Sequence, residues 1–294
     1  QIDSKSRMVI PQSIKIKQMK NNFRIISTVA LLALLISGCQ KMDRPALGDY
    51  VKDANPPGGP LNFYAAFDGT TSNVLMNAVD SVKATFPSVN PLGSTNGVSG
   101  KGIQGVDGKA LYYPAMNDFN KATSFSIAFW VKNTAQAGRT EFLFSVVDDS
   151  YGWHHSAAFV LVENQTATKA TMKFGLMDQW LEGTFNKPLF DGSWHHIVYA
   201  YDQTTSKMNY YFDGVLATDM TAGQTDVKNG GNPRGAIDFS KATSLILAGW
   251  NKHGNAQGPT DGWISSYTGA MDQFRLYKKA LTASEVLALY NSKR

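Results

Sequence analysis

Between residues 191 and 217 the chain reads DGSWHHIVYAYDQTTSKMNYYFDGVLA, and few backbones accept that order of residues. Residues 194–201 are dense in aromatic and β-branched side chains, which fit a pleated, half-buried surface better than a helix. Residues 202–206 form a turn cluster. Residues 207–212 then alternate, with Met208, Tyr210 and Phe212 on one face, and Asp213-Gly214 supplies a tight reversal into a third strand. A polar turn followed by an Asp-Gly turn makes this stretch an antiparallel run of strands.

The same grammar extends along the chain. Residues 62–67 read as a first strand ending in Asp68-Gly69, and the glycine-rich stretch 99–107 leads into 110–114. Residues 124–132, SFSIAFWVK, place Phe125, Ile127, Phe129 and Val131 on one face. Stretches 141–147, 157–162, 171–176, 244–248 and 267–277 complete the set, with no internal repeat. Short strands punctuated by Gly, Asn and Asp indicate a sandwich or barrel rather than an α/β fold. One helix is marked at the end of the chain. Thr282 is a good N-cap, Glu285 completes a capping box, and Leu281 and Val286 stand at the two staple positions. Residues 284–290 are then one or two helical turns, expected as a lid on the sandwich.

The order Asp-Gly, Trp-His-His, Tyr-Asp and Tyr-Phe-Asp-Gly within residues 191–214 resembles the signature of laminin G-like domains, part of the concanavalin A-like lectin/glucanase superfamily. Residues 100–114 and 124–132 resemble two earlier strands of that pattern. Residues 269–277, GAMDQFRLY, followed by Ala280-Leu281-Thr282, resemble its closing strand. The resemblance covers residues 61–294. It implies an all-β fold, a two-sheet antiparallel jelly-roll sandwich with a short C-terminal helix. These are motifs of packing and turns, and a fold does not by itself assign a function.

Charge narrows the partners. The chain has 28 Lys and Arg against 23 Asp and Glu. Residues 1–38 hold six of the basic side chains and one of the acidic ones, so 22 of each remain beyond them. A neutral remainder without clustered Lys or Arg argues against nucleic acid. The leader is informative in itself. Residues 19–24 form a positive segment, and residues 25–36 an apolar run of signal-peptide length, too short to span a bilayer. Ile36-Ser37-Gly38-Cys39 follows and resembles a bacterial lipobox, which implies cleavage before Cys39 and a lipid on its thiol. The polar residues 40–44 resemble the start of surface lipoproteins of Bacteroidota. The expected organisation is an upstream extension and signal peptide over 1–38, a lipidated Cys39 with a Pro/Gly-rich tether over 39–60, and the jelly roll over 61–294. The expected location is the outer membrane, at the cell surface or facing the periplasm.

For catalysis, relatives of this fold that hydrolyse glycans need two carboxyl groups roughly 5–5.5 Å apart. The laminarinase-like branch carries them as Glu-x-Asp-x-x-Glu, and none of the four glutamates here, Glu141, Glu163, Glu182 and Glu285, starts that pattern. Asp178 and Glu182 flank Trp180 and would approach each other only if that segment turns. His195-His196 fall inside the fold signature and are expected to pack, bonded to nearby backbone. His154-His155 lie in a loop that no motif explains; a lyase using His and Tyr is conceivable there. Members of the superfamily often carry Ca2+ between first and last strands, and the resemblance places Asp68 and Asp272 at those ligand positions. Sugar recognition remains. Trp153, Trp180, Trp250 and Trp263 sit beside His154, His155, Asp178 and His253 in loops or strand ends, where ring faces for sugar C–H groups and partners for hydroxyls meet. Trp130 and Trp194 are expected in the core. The expectation is a non-catalytic carbohydrate-binding lipoprotein that captures polysaccharide beside glycan-uptake proteins. A lyase or hydrolase of the same fold and a protein-binding adhesion module are the alternatives.

Overall fold

Alternation along a single strand, Phe125–Lys132 (β5), sets the architecture. Phe125, Ile127, Phe129 and Val131 enter one core and Ala128 enters another, so the strand is buried on both faces. The computed structural model describes residues 59–68 and 91–293. The expected leader, Cys39 and the tether as far as residue 58 lie outside the described residues.

Around β5 the first sheet is antiparallel throughout. On one side follow His195–Asp202 (β10), Lys207–Phe212 (β11) and Val215–Leu216 (β12). On the other side is Ala270–Tyr277 (β17), whose far edge is shared. Its first residues pair with Lys101–Gln104 (β3), which pairs with Gly93–Asn96 (β2), and its last residues pair with Leu61–Ala65 (β1). The second sheet runs Leu111–Tyr113 (β4), Ser244–Leu247 (β15), Thr140–Val147 (β6), Ser156–Glu163 (β7), Ala170–Leu176 (β8) and Gln179–Phe185 (β9). Ile264–Ser266 (β16) adds a parallel pairing to β6. A small hairpin, Lys228–Asn229 (β13) with Asn232–Pro233 (β14), stands apart from both sheets. Among the described residues, no helix is long and apolar enough to cross a membrane.

The inner faces of the two sheets meet in the main core. Phe129 stacks on Phe274 at 5.3 Å, and Phe144 meets Phe274 edge-on at 5.6 Å. Each buried phenyl contributes about 1.5–3 kcal/mol relative to exposure. The outer face of the first sheet is covered by the helix Ala283–Ser292. Glu285 N donates to Thr282 Oγ1 at 3.3 Å and Thr282 N donates to Glu285 Oε2 at 2.8 Å, closing the expected box. Leu281 and Val286 then pack on Ala128, Val198 and Ala200.

Under that helix, Trp130 lies between Tyr290, stacked at 5.5 Å, and His196, at 5.0 Å. His196 is fully buried with neither ring nitrogen hydrogen-bonded. Burial drives its pKa down to about 3, helped by the Arg275 charge, so the ring packs as a neutral aromatic. His195 differs. Burial works against its charge, but Asp213 Oδ2 at 2.9 Å and Asp191 Oδ1 at 3.1 Å outweigh it and raise its pKa. The signature pair therefore packs as expected but without the expected backbone partners. Trp130 is in the core; Trp194 is only half-buried, because it precedes β10 rather than lying within it.

Two further readings need correction. Residues 178–182 do not turn back on themselves: Asp178 occupies the two-residue β8–β9 turn and Glu182 points outward from β9. As an edge strand with one face to water, β9 carries Gln, Glu, Gly and Thr, which dilute the strand signal. The stretch 267–277 is also broken rather than continuous. Gly269 sits where a Cβ would lie 2.4 Å from Tyr267 Oη, and the chain crosses between sheets there. Glu141 holds that crossing. Fully buried, its carboxylate accepts hydrogen bonds from Thr268 N (3.1 Å), Thr268 Oγ1 (2.6 Å) and Gln165 Nε2 (3.2 Å).

Candidate functional site: an aromatic platform

On its outer face the second sheet presents Phe142 of β6 and Phe159 of β7, beside Leu161 and Ile264. Gly175 of β8 is what admits the Phe159 ring, since a Cβ there would lie 2.2 Å from it. Trp250 rests on this base. Its ring lies 4.2 Å from Phe142 with the planes 9° apart, and 5.1 Å from Phe159. It is fully buried, and its indole N–H donates to Ser156 Oγ at 3.0 Å. Ser145 Oγ bridges Ser156 Oγ at 2.9 Å and donates to Asn251 Oδ1 at 2.7 Å, so the polar atoms beneath the rings are paired.

Above this floor stand exposed rings. Trp153, Trp263 and Trp180 are 51%, 46% and 37% exposed. Trp153 meets Trp250 edge-on at 5.5 Å and runs nearly parallel to Trp263, 6.2 Å away at 24°. Trp180 meets Phe159 edge-on at 5.1 Å. Three tryptophans far apart in sequence thus share one base.

The loops that carry them are fixed by local bonds. In the 148–155 loop, Ser150 N donates to the buried Asp148 Oδ1 at 2.9 Å and Asp148 N donates to His155 O at 3.1 Å. His155 adopts φ 47°, which the tight closure requires. Asn251 Nδ2 donates to His155 O at 2.8 Å and to Gln257 O at 2.7 Å, clamping the two tryptophan loops together. His154 stacks on Tyr151 at 5.8 Å, and burial lowers its pKa. His253 Nδ1 accepts Trp250 N at 3.0 Å, and burial lowers its pKa to about 4. Both rings are neutral near pH 7. His155 Nδ1 lies 3.4 Å from Asp149 Oδ1, and Asp178 pairs with Arg234.

Of the eight residues expected to contact sugar, the structure gathers Trp153, Trp180, Trp263, His154, His155 and Asp178 about one face. Trp250 and His253 belong to its foundation: the fully buried Trp250 ring supports its neighbours, and the half-buried His253 accepts Trp250 N. Sequence reasoning missed Phe142, Phe159, Ser156 and Asn251. The one available signal was Gly175 inside a strand pattern, which marks a close approach.

On the opposite side of the sandwich, Asp272 lies where the edge of β17 passes from β3 to β1, before the bulge at Gln273 (φ 49°). Its Oδ2 accepts Val98 N at 2.8 Å, while Oδ1 is buried without a partner. Asp68 Oδ1 accepts Lys101 N at 2.7 Å on the same turn. Gly100 (φ 64°) makes this possible, as a Cβ there would lie 2.0 Å from that oxygen. Burial pushes the Asp272 pKa up to about 7, and the Asp68 charge adds to it. An unpaired buried carboxylate oxygen beside a second carboxylate fits a hard, oxygen-ligated cation. Among the described residues no group of three or more His, Cys, Asp or Glu is placed to hold a metal, so the remaining ligands would be carbonyls or water.

The laminin G-like family model, described as the concanavalin A-like lectin/glucanases superfamily, matches residues 105–287. No curated protein matches the sequence. Among solved structures the chain is similar to domain 4 of an extracellular arabinanase from Geobacillus stearothermophilus, in complex with arabinotriose (17% identity, TM-score 0.48, covering 78% of this chain and 98% of that one). It is also similar to the binding domain of Paraclostridial Mosquitocidal Protein 1 (14% identity, TM-score 0.52, covering 79% and 52%). A third similar structure is Trypanosoma rangeli sialidase (14% identity, TM-score 0.51, covering 81% and 33%). The family match and the two likenesses with TM-scores above 0.5 establish the fold alone, which is the two-sheet jelly roll expected from the sequence.

Proposed function

We propose that this chain, which belongs to the concanavalin A-like lectin/glucanase superfamily, is a glycan-binding module that holds polysaccharide without cleaving it. The observation that carries the reading is the exposed, near-parallel Trp153–Trp263 pair on a rigid aromatic floor. Solvent-facing rings with a polar fringe suit the C–H faces and hydroxyls of pyranoses, and large aromatics dominate binding energy where they are preorganised. Glycan retention by the full chain, with the products analysed, tests it.

The carboxylates favour binding over cleavage. A glycosidase needs a general acid whose pKa is raised, opposite a second free carboxylate. Glu141 is bonded inside the fold, Glu285 caps the helix, and Glu163 and Glu182 share Lys173 at 2.8 and 3.6 Å. Among the described residues, the carboxyl pushed upward is Asp272, on the other sheet. A lyase with His154 as base and Tyr151 as acid is disfavoured because burial, with the nearby Asp148 charge, raises the pKa of Tyr151 and makes it a weaker acid, while burial lowers that of His154 and makes it a weaker base.

In this reading Cys39 carries a lipid, and residues 39–60 tether the module at the outer membrane, beside glycan-uptake proteins. Cys39→Ser is expected to move the protein from the membrane fraction to the soluble one; unchanged partition would remove the anchor. Asp68 and Asp272 hold a structural Ca2+, which would neutralise the pair and pin the turn around Gly100. At a free Ca2+ about 100 times its Kd, binding adds about 2.7 kcal/mol. That raises Tm by about 5–10 °C for a domain of this size. Differential scanning calorimetry with EDTA and then Ca2+ should show the shift in the natural chain and lose it in Asp272→Asn. Equal Tm with and without Ca2+ would refute the site.

A further inference from the structure

We infer that the platform selects uncharged glycans and rejects those bearing carboxylate or sulfate groups; this deepens, and rests on, the reading of the face as a glycan site. Every exposed indole has a carboxylate within four residues of it along the chain. Asp149 shares the Trp153 loop, Asp178 and Glu182 bracket Trp180, and Asp261 precedes Trp263 by two residues. The cations of this face are already engaged. Lys173 Nζ lies 2.8 Å from Glu163 and 3.6 Å from Glu182. Arg234 is turned onto Asp178, its side chain only 8% exposed, and Lys252 Nζ donates to Asp261 O at 2.8 Å.

Recognition of a uronate or sulfate wants a free guanidinium fork or ammonium aimed at the ligand. Here an incoming anion would meet carboxylates of its own sign and would be desolvated against apolar rings, and both effects oppose binding. The neutral rings of His154 and His253 add no positive charge. For an uncharged sugar the same fringe is favourable, because carboxylates accept hydrogen bonds from hydroxyls, and charge-assisted bonds are the stronger kind. The ring faces supply affinity, and the acidic fringe supplies the choice of ligand class.

Affinity electrophoresis of the full chain tests this, using laminarin, arabinan and mannan as neutral probes and polygalacturonate, alginate and chondroitin sulfate as anionic ones. At least one neutral glycan should be retained, with every anionic probe at least about tenfold weaker, a gap of about 1.4 kcal/mol. Retention of the neutral glycan should change less than about twofold between about 50 and 500 mM NaCl, since there is no charge pair to screen. The double variant Asp178→Asn with Glu182→Gln removes two carboxylates of the fringe and leaves Arg234 without its carboxylate partner, while Lys173 keeps Glu163. It should gain roughly fivefold or more on polygalacturonate, an effect that mere damage to the fold would not produce. An anionic glycan held by the natural chain and lost in Trp153→Ala/Trp263→Ala would overturn the inference while leaving the glycan site intact. No gain on polygalacturonate in the folded double variant would equally overturn the charge fringe as the cause. Failure to retain any of the six probes would instead bring down the glycan reading, and this inference with it.

Discussion

Replacing Trp153 and Trp263 together by alanine is expected to weaken glycan binding by at least about 100-fold while leaving the fold intact. Truncating an interface tryptophan at a hot spot costs about 2 kcal/mol or more, and each 1.4 kcal/mol is a factor of ten. Both rings are roughly half exposed, so their removal opens no cavity in the core. Trp153 leans on Trp250 and Trp263 on Phe142, and those two remain in place beneath. Titration calorimetry should therefore report the loss, with thermal unfolding nearly unchanged. Binding that survived the double substitution would place the site elsewhere on the molecule.

Trp250→Ala is expected to damage both stability and binding. A fully buried tryptophan truncated to alanine costs about 3–5 kcal/mol. At roughly 2–4 °C per kcal/mol for a domain of this size, Tm falls by on the order of 10 °C. The loss would exceed the cavity term alone, because Ser156 Oγ loses the indole donor and Phe142 loses its stacking partner. Trp153 would then lack the surface that orients it. The two variants are distinguished by their signatures: the exposed pair loses affinity alone, and the buried ring loses affinity and melting temperature together. A Trp250→Ala protein with natural Tm would contradict the described floor.

The scaffold was legible because its signals are local. Alternation in residues 124–132, the Asp213-Gly214 turn and the Thr282–Glu285 box each determine structure within a few residues, and each is found in place. β9 escaped because an edge strand facing water needs little apolar character. The tryptophans of the platform could be listed from the sequence, but their roles could not be separated. Trp250 and Trp263 sit in similar polar contexts, yet one lies under the other's neighbours; that depends on the space Gly175 of β8 leaves for Phe159 of β7, both far from Trp250 in sequence. Likewise, nothing near Glu141 in the sequence announces its partners, Thr268 and Gln165, which arrive from distant segments. Long-range packing assigns those roles, and alternation and turn chemistry carry no record of it.

In the proposed function the outer face of the second sheet binds glycan and leaves it whole. The most direct test of this incubates the full chain with a glycan it retains, then measures the bound fraction and the chain-length distribution together. The expected result is retention that depends on Trp153 and Trp263, with chain lengths unchanged after prolonged incubation. Shortened or unsaturated products, or no retention of any glycan, would contradict it.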